Sequence, residues 1–197
     1  MKEERLVLLY SKEEIAQKVT NLADQISKDY DDKEVILICI LKGAFIFFSD
    51  LIRNLRMPLK IDFVRLASYG SQTRSSGGIS ITKDIEMSIE GKDVVVVEDI
   101  VDTGLTTSYF IERLKAKNPN SLRLCALIEK KERREVNIEA DYVGFVLEEG
   151  FIVGYGLDFD ERYRHLPEIY RIVGAGLCAC PDPGQPPVVA RPQEYGS

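Results

Sequence analysis

A chain of 197 residues, 45% hydrophobic and 29% charged, has the size and composition of one globular domain. Its net charge of −6 argues against a general nucleic-acid binder, which normally carries a basic face, and no apolar run approaches the roughly 20 residues that span a bilayer. One histidine, no tryptophan and four scattered cysteines speak against a histidine-centred triad, a multi-histidine metal site and a disulfide scaffold.

In chain order, the opening MKEERLVLLYSKEE turns acidic early and lacks an apolar core; no secretory leader is expected, and the cytoplasm is the expected compartment. Ser11 with Glu14 forms a capping-box pattern, followed by Ile15, Val19, Leu22, Ala23 and Ile26 at helical spacing. Val35 to Leu41, VILICIL, reads as a strand buried on both faces, ending at Lys42-Gly43. A second helix is expected with Phe48, Leu51, Ile52 and Leu55 along one stripe, closed before Pro58. Leu59 to Leu66 is a strand, and Tyr69 to Gly78, YGSQTRSSGG, has the composition of a mobile loop. Ile79, Ile81 and Ile85 suggest a strand pair turned through Glu90-Gly91-Lys92. Val94 to Val97 is a buried strand; Tyr109, Phe110 and Leu114 mark a helix; Asn118-Pro119-Asn120 is a turn; Leu122 to Ile128, Tyr142 to Leu147 and Phe151 to Tyr155 are strands. Buried strands alternating with amphipathic helices predict an α/β fold with a mostly parallel central sheet. Right-handed crossovers would then gather Lys42-Gly43, Glu98-Asp99 and Lys130 at the carboxyl edge.

Cys39 and Cys125 lie in apolar runs and read as buried free thiols. From Gly174 onward, five prolines and four glycines fall in 24 residues, which predicts a disordered tail over 174–197 behind a domain over 1–173. Cys178 and Cys180 stand in that tail with no histidine nearby.

The chemistry concentrates after Val97. Two adjacent carboxylates, Glu98 and Asp99, end an apolar strand, and Asp102-Thr103-Gly104-Leu105-Thr106 turns into a helix. Paired acids at a strand end can accept hydrogen bonds from two ribose hydroxyls or support a hard cation. The turn's backbone N–H groups, the Thr103 and Thr106 hydroxyls and the helix N-terminus together make an anion site. Singly these residues read as an acidic surface loop; as a set they offer diol acceptors, a further carboxylate and a phosphate cradle.

The stretch VVVVEDIVDTGLT, Val94 to Thr106, resembles the phosphoribosyl-pyrophosphate signature of the type I phosphoribosyltransferases, specifically their hypoxanthine-guanine branch. The resemblance runs from about Leu6 to Val173 and implies that family's sheet-and-helix fold with a small hood and a mobile lid. It implies that Glu98 and Asp99 hold the ribose hydroxyls and help place Mg2+, and that Asp102 is the acid/base facing purine N7. Thr103, Gly104 and Thr106, with neighbours Ile100, Val101 and Leu105, would bind the 5-phosphate. Leu41-Lys42-Gly43 is similar to the family's pyrophosphate loop, whose peptide can be cis without proline. Ser68-Tyr69 would open the lid, which shields an oxocarbenium-like ribose from water. Lys130, rather than Lys131, would donate to the purine 6-oxo group, and Arg134 weakly matches a family arginine. Phe151 to Asp158, FIVGYGLD, implies Phe151 stacked on the purine, the Ile152 backbone reading its edge, and Asp158 as a second Mg2+ ligand. Arg164 would touch the pyrophosphate.

Other patterns fail. Gly154-x-Gly156 lacks a third glycine at Phe159, Asp158-Phe159-Asp160 does not continue as an aspartyl-phosphate motif, and no Walker sequence exists. The expectation is Mg2+-dependent transfer of ribose 5-phosphate from phosphoribosyl pyrophosphate to N9 of hypoxanthine or guanine, in a dimer or tetramer without nucleic-acid or membrane partners. The alternatives are a xanthine-preferring enzyme and an RNA-binding regulator on the same fold, as in the pyrimidine-operon attenuation proteins; the acidic balance, Lys130 and Phe151 speak against the regulator.

Overall fold

The computed structural model describes residues 5–68, 79–148 and 150–173. The chain runs β1 (Arg5–Tyr10), α1 (Lys12–Asp29), β2 (Val35–Leu41), α2 (Phe45–Asn54), β3 (Leu59–Ser68) and β4 (Ile79–Lys83). It continues through β5 (Asp93–Val101), α3 (Leu105–Lys115), β6 (Ser121–Lys130), β7 (Tyr142–Leu147), β8 (Ile152–Val153) and β9 (Ile169–Val173). Among the described residues no helix is long and apolar enough to cross a membrane.

Six strands form the main sheet in the order β4-β3-β2-β5-β6-β7. All neighbours are parallel except β3 and β4. The apolar run of β2 explains its central place. Val35, Leu37 and Cys39 pack toward α1 and α2, while Ile36, Ile38 and Ile40 join Phe110 and Leu114 of α3 on the opposite face. A strand that must be apolar on both sides cannot show alternation.

Helix α1 begins as its sequence predicts. The Ser11 hydroxyl accepts from the Glu14 amide at 3.3 Å, and the Glu14 carboxylate accepts from the Ser11 amide at 2.8 Å. Its five predicted apolar positions are all buried, and the larger four, Ile15, Val19, Leu22 and Ile26, each contribute roughly 1.5–3 kcal/mol by leaving water. Cys39 and Cys125 are buried free thiols, and burial pushes both thiols far up. They are inert core residues.

Three features differ from the sequence reading. Ile79 and Ile81 lie in β4, but its partner is β3, and Ile85 lies beyond the strand. No hairpin links β4 to β5: the Asp62 carboxylate accepts from the Glu86 and Met87 amides at 2.7 and 2.9 Å and holds the connection in an open path. Glu98 and Asp99 do not follow a strand, because β5 runs on to Val101. The ends of the chain also build a second sheet, β1-β9-β8, antiparallel throughout. Of its strands only β8 (Ile152–Val153) falls in a stretch read as strand, Phe151 to Tyr155; β1 and β9 carry no period strong enough to read from sequence. The predicted mobile loop at 69–78, with Tyr69, and the tail from 174, with Cys178 and Cys180, lie outside the described residues.

Candidate active site

Four segments converge at the carboxyl edge of the parallel strands. A cavity of about 320 Å³ is lined by Lys42 and Gly43 after β2, by Glu98, Asp99 and Ile100 of β5, by Asp102, Thr103, Gly104, Thr106 and Thr107, and by Asp158 and Arg164. A larger cavity, about 670 Å³, lies between α1 and α2 and contains Asp50, Tyr155 and His165. The single histidine lines this second cavity and not the charged one, although its neighbour Arg164 lines the latter, and the larger space holds none of the expected site residues.

Close backbone approach welds the segments together. A β-carbon on Gly43 would fall inside the Asp99 carboxylate, and one on Gly156 would overlap the Gly43 carbonyl oxygen. Only glycine lets these three segments touch. The Leu41–Lys42 peptide is cis.

Glu98 is buried, and burial followed by the neighbouring Asp99 charge raises its carboxyl well above the ordinary range, a hydrogen bond with Thr107 partly offsetting the rise. Burial likewise raises Asp99. Two adjoining carboxyls that resist ionising together suit hydroxyl donors or a cation. Among the described residues no three histidine, cysteine or acidic groups converge as a ready metal cage. This donor set fits Mg2+, which keeps several waters and takes one or two carboxylates plus phosphate oxygens from a substrate.

The loop after β5 enters α3 through Gly104, at φ 82°. A side chain there would also meet Ile138 at 2.6 Å. Thr103 Oγ1 accepts from the Leu105 amide at 3.4 Å. Of the predicted phosphate-loop residues, Val101 is buried in the core and Leu105 is 43% exposed; neither lines the cavity. Asp102 is held from the side: Arg133 Nη1 donates to its Oδ2 at 3.1 Å, while Oδ1 is buried with no hydrogen-bond partner among the described residues.

Lys130, the last residue of β6, is 5% exposed and donates to the Gly150 carbonyl at 2.7 Å. Burial lowers its ammonium pKa, and the nearby Asp102 charge opposes that shift. Phe151 is 40% exposed, its ring edge-on to Phe159 at 5.3 Å. Ile152 is buried in β8. Lys130, Phe151 and Ile152 stand outside the cavity lining, separate from the phosphate-side residues. Arg134 instead pairs with buried Glu129 at 2.9 Å.

On the far wall, Arg164 bridges Asp158 at 2.8 Å and Glu161 at 3.3 Å, and Nη1 donates to the Gly156 carbonyl at 2.8 Å. Lys42 reaches the same Glu161 at 2.9 Å. Thr107, Arg133, Phe159 and Glu161 were not anticipated. Thr107 sits one residue beyond the motif, and the other three are ordinary charges or aromatics until the fold juxtaposes them.

The phosphoribosyl transferase domain model matches residues 8–160. The chain is 46% identical over 164 residues to the hypoxanthine-guanine phosphoribosyltransferase of Dictyostelium discoideum, covering 81% of this chain and 91% of the relative. It is 43% identical over 169 residues to that of Bacillus subtilis, covering 86% and 94%. A Bacillus anthracis hypoxanthine-guanine phosphoribosyltransferase crystal structure superposes with a TM-score of 0.80 at 41% identity, covering 87% of this chain and all of the other. For the Trypanosoma cruzi hypoxanthine phosphoribosyltransferase, 37% identical with a TM-score of 0.80 over 85% of this chain and 91% of that one, the C-terminal region has a described role in oligomeric state and activity. The chain belongs to the type I phosphoribosyltransferase family, in its hypoxanthine-guanine branch.

Proposed function

We propose that the protein transfers ribose 5-phosphate from phosphoribosyl pyrophosphate to N9 of hypoxanthine or guanine in purine salvage. The C1–oxygen bond to pyrophosphate breaks, the C1–N9 bond forms, and the purine gives up one proton. The observation that carries this reading is the convergence of Glu98-Asp99, Asp102, Thr103, Gly104, Thr106 and Lys42-Gly43 on one charged cavity.

In this reading the turn and the α3 N-terminus bind the 5-phosphate through backbone N–H groups and the Thr103 and Thr106 hydroxyls. Glu98 and Asp99 accept from the ribose hydroxyls. Lys42 and Arg164 bind pyrophosphate oxygens as charge-assisted donors. Asp102 takes the proton at N7, work usually worth about 10²–10⁴ in rate. Lys130 donates to the 6-oxo group and so disfavours a 6-amino purine, whose donor would face another donor. Phe151 stacks on the base and the Ile152 backbone reads its edge. Mg2+, held by Glu98 or Asp99 and by Asp158 together with substrate oxygens, would neutralise pyrophosphate charge. Ser68 and Tyr69 would begin the lid.

The phosphoribosyltransferase unit spans residues 1–173, and we place the protein in the cytoplasm as a homo-oligomer, which light scattering would size. The deciding assay follows pyrophosphate release with Mg2+ and phosphoribosyl pyrophosphate against hypoxanthine, guanine, xanthine, adenine and uracil. Release with hypoxanthine and guanine is expected; silence with all five bases overturns the reading.

A further inference from the structure

We infer that Glu161 is an internal anion that occupies the two pyrophosphate-binding cations of the empty enzyme and thereby weakens its grip on pyrophosphate. The inference rests on the reading of Lys42 and Arg164 as pyrophosphate ligands.

A single carboxylate oxygen, Glu161 Oε2, accepts from Lys42 Nζ at 2.9 Å and lies 3.3 Å from Arg164 Nη2. The two cations come from distant parts of the chain, one after β2 and one before β9. Both line the charged cavity. Glu161 reaches between them from an uncommon backbone: Asp160, Glu161 and Tyr163 all have positive φ, at 52, 60 and 72°. The Glu161 amide donates to Asp158 Oδ2 at 2.9 Å, which pins the turn and aims the side chain. The Lys42 hydrogen bond holds the Glu161 carboxyl below the ordinary carboxylate range, and Arg164 acts the same way. Glu161 is an anion at neutral pH.

A carboxylate oxygen and a diphosphate oxygen ask the same thing of lysine and arginine: a charge-assisted hydrogen bond. A diphosphate that takes these donors must displace Glu161, and the lost contacts subtract from its binding. Asp158 remains on Arg164 at 2.8 Å, so Arg164 keeps its orientation when Glu161 leaves. The same subtraction applies to donor and to leaving group. It eases departure of pyrophosphate, a step that often limits turnover in enzymes with closing sites. Glu161 is solvent-facing, its side chain 63% exposed, against 45% for Lys42 and 19% for Arg164, so the effect is modest.

The test is calorimetric titration of Mg2+-pyrophosphate into the full-length protein and its Glu161→Gln variant, alongside KM for phosphoribosyl pyrophosphate. Two ion pairs that share the exposed Glu161 predict that Glu161→Gln binds pyrophosphate about three- to tenfold tighter, with KM falling in the same direction. A gain of affinity is something a merely structural role would not produce. Unchanged or weaker binding by a variant that melts like the parent overturns the inference. Should Glu161→Gln fail to fold, Glu161→Asp keeps the charge but withdraws it by one methylene, and a smaller gain in the same direction is expected; no gain overturns the inference. Lys42→Ala separates the two levels of the claim. If Lys42→Ala binds pyrophosphate as the parent does, the reading of the site falls and the inference with it. If Lys42→Ala weakens binding and Glu161→Gln gains nothing, only the inference falls.

Discussion

Gly43 lies so close to Asp99 that a β-carbon on the glycine would occupy the carboxylate's own position. The Lys42-Gly43 loop and the Glu98-Asp99 pair are thus in direct steric register. In Gly43→Ala either the acid or the loop must move by about an ångström, and a displacement of that size can cost ~10²-fold in rate. We expect kcat/KM to fall at least about a hundredfold, with the fold retained by circular dichroism. Gly91→Ala is the control. Gly91 also has positive φ, 64°, but nothing lies within 4 Å of its would-be side chain, so it should lose about 1–2 kcal/mol of stability and no specific activity.

Asp102 and its cap Arg133 should respond very differently to removal. Asp102→Ala removes the proposed proton acceptor and should lower kcat by about 10²–10⁴ while leaving nucleotide binding largely intact. Arg133 is 62% exposed in its pair with Asp102, and exposed pairs are worth about 0.2–1 kcal/mol. Arg133→Ala should therefore change hypoxanthine KM by less than about fivefold. Steady-state kinetics on both variants checks the contrast, and equal losses would place Arg133 in the chemistry.

Much of this arrangement is legible in the residues, and the reason differs by element. Helix α1 is readable because capping and periodicity are local: Ser11, Glu14 and the five apolar positions all lie within one helix and its cap. The 102–106 turn is readable because the residues that form it are consecutive. The β1-β9-β8 sheet is not, since its pairing joins Arg5 to Val173 across the whole chain. Glu161 is hidden for the same reason. Its meaning depends on Lys42, 119 positions away, and no local pattern encodes that meeting. Asp62 is harder still, the one acid of β3, whose partners are the backbone amides of residues 63, 86 and 87 and the Lys83 ammonium.

Lys130 and Lys131 offer a sharper test, because sequence alone leaves adjacent lysines hard to separate. Lys130 is buried against the Gly150 carbonyl, whereas the Lys131 side chain is 69% exposed. A charged hydrogen bond is worth about 1.5–3 kcal/mol, so Lys130→Met should raise hypoxanthine KM by about ten- to a hundredfold. Lys131→Met should leave it within about twofold, the range expected of a surface substitution. Adenine should gain relative to hypoxanthine only in the Lys130 variant.

Arg134 resembles a functional arginine in sequence, yet its Nη2 pairs with Glu129, with side chains only 15% and 6% exposed, while its Nη1 is buried with no hydrogen-bond partner among the described residues. It also packs under Gly104, where a β-carbon would come within 3.1 Å of its Nη1, so it supports the phosphate turn from beneath. Deleting one partner of a buried ion pair leaves the other charge stranded, at a cost of about 3–5 kcal/mol. Arg134→Ala should show that loss in urea unfolding, together with a raised KM for phosphoribosyl pyrophosphate. Removing both charges, as in Arg134→Met with Glu129→Leu, should restore most of the stability, since no buried charge remains unpaired. The double variant separates the two roles. Stability recovered with KM still raised would mean that the arginine itself shapes the turn; recovery of both would mean that packing beneath Gly104 is sufficient.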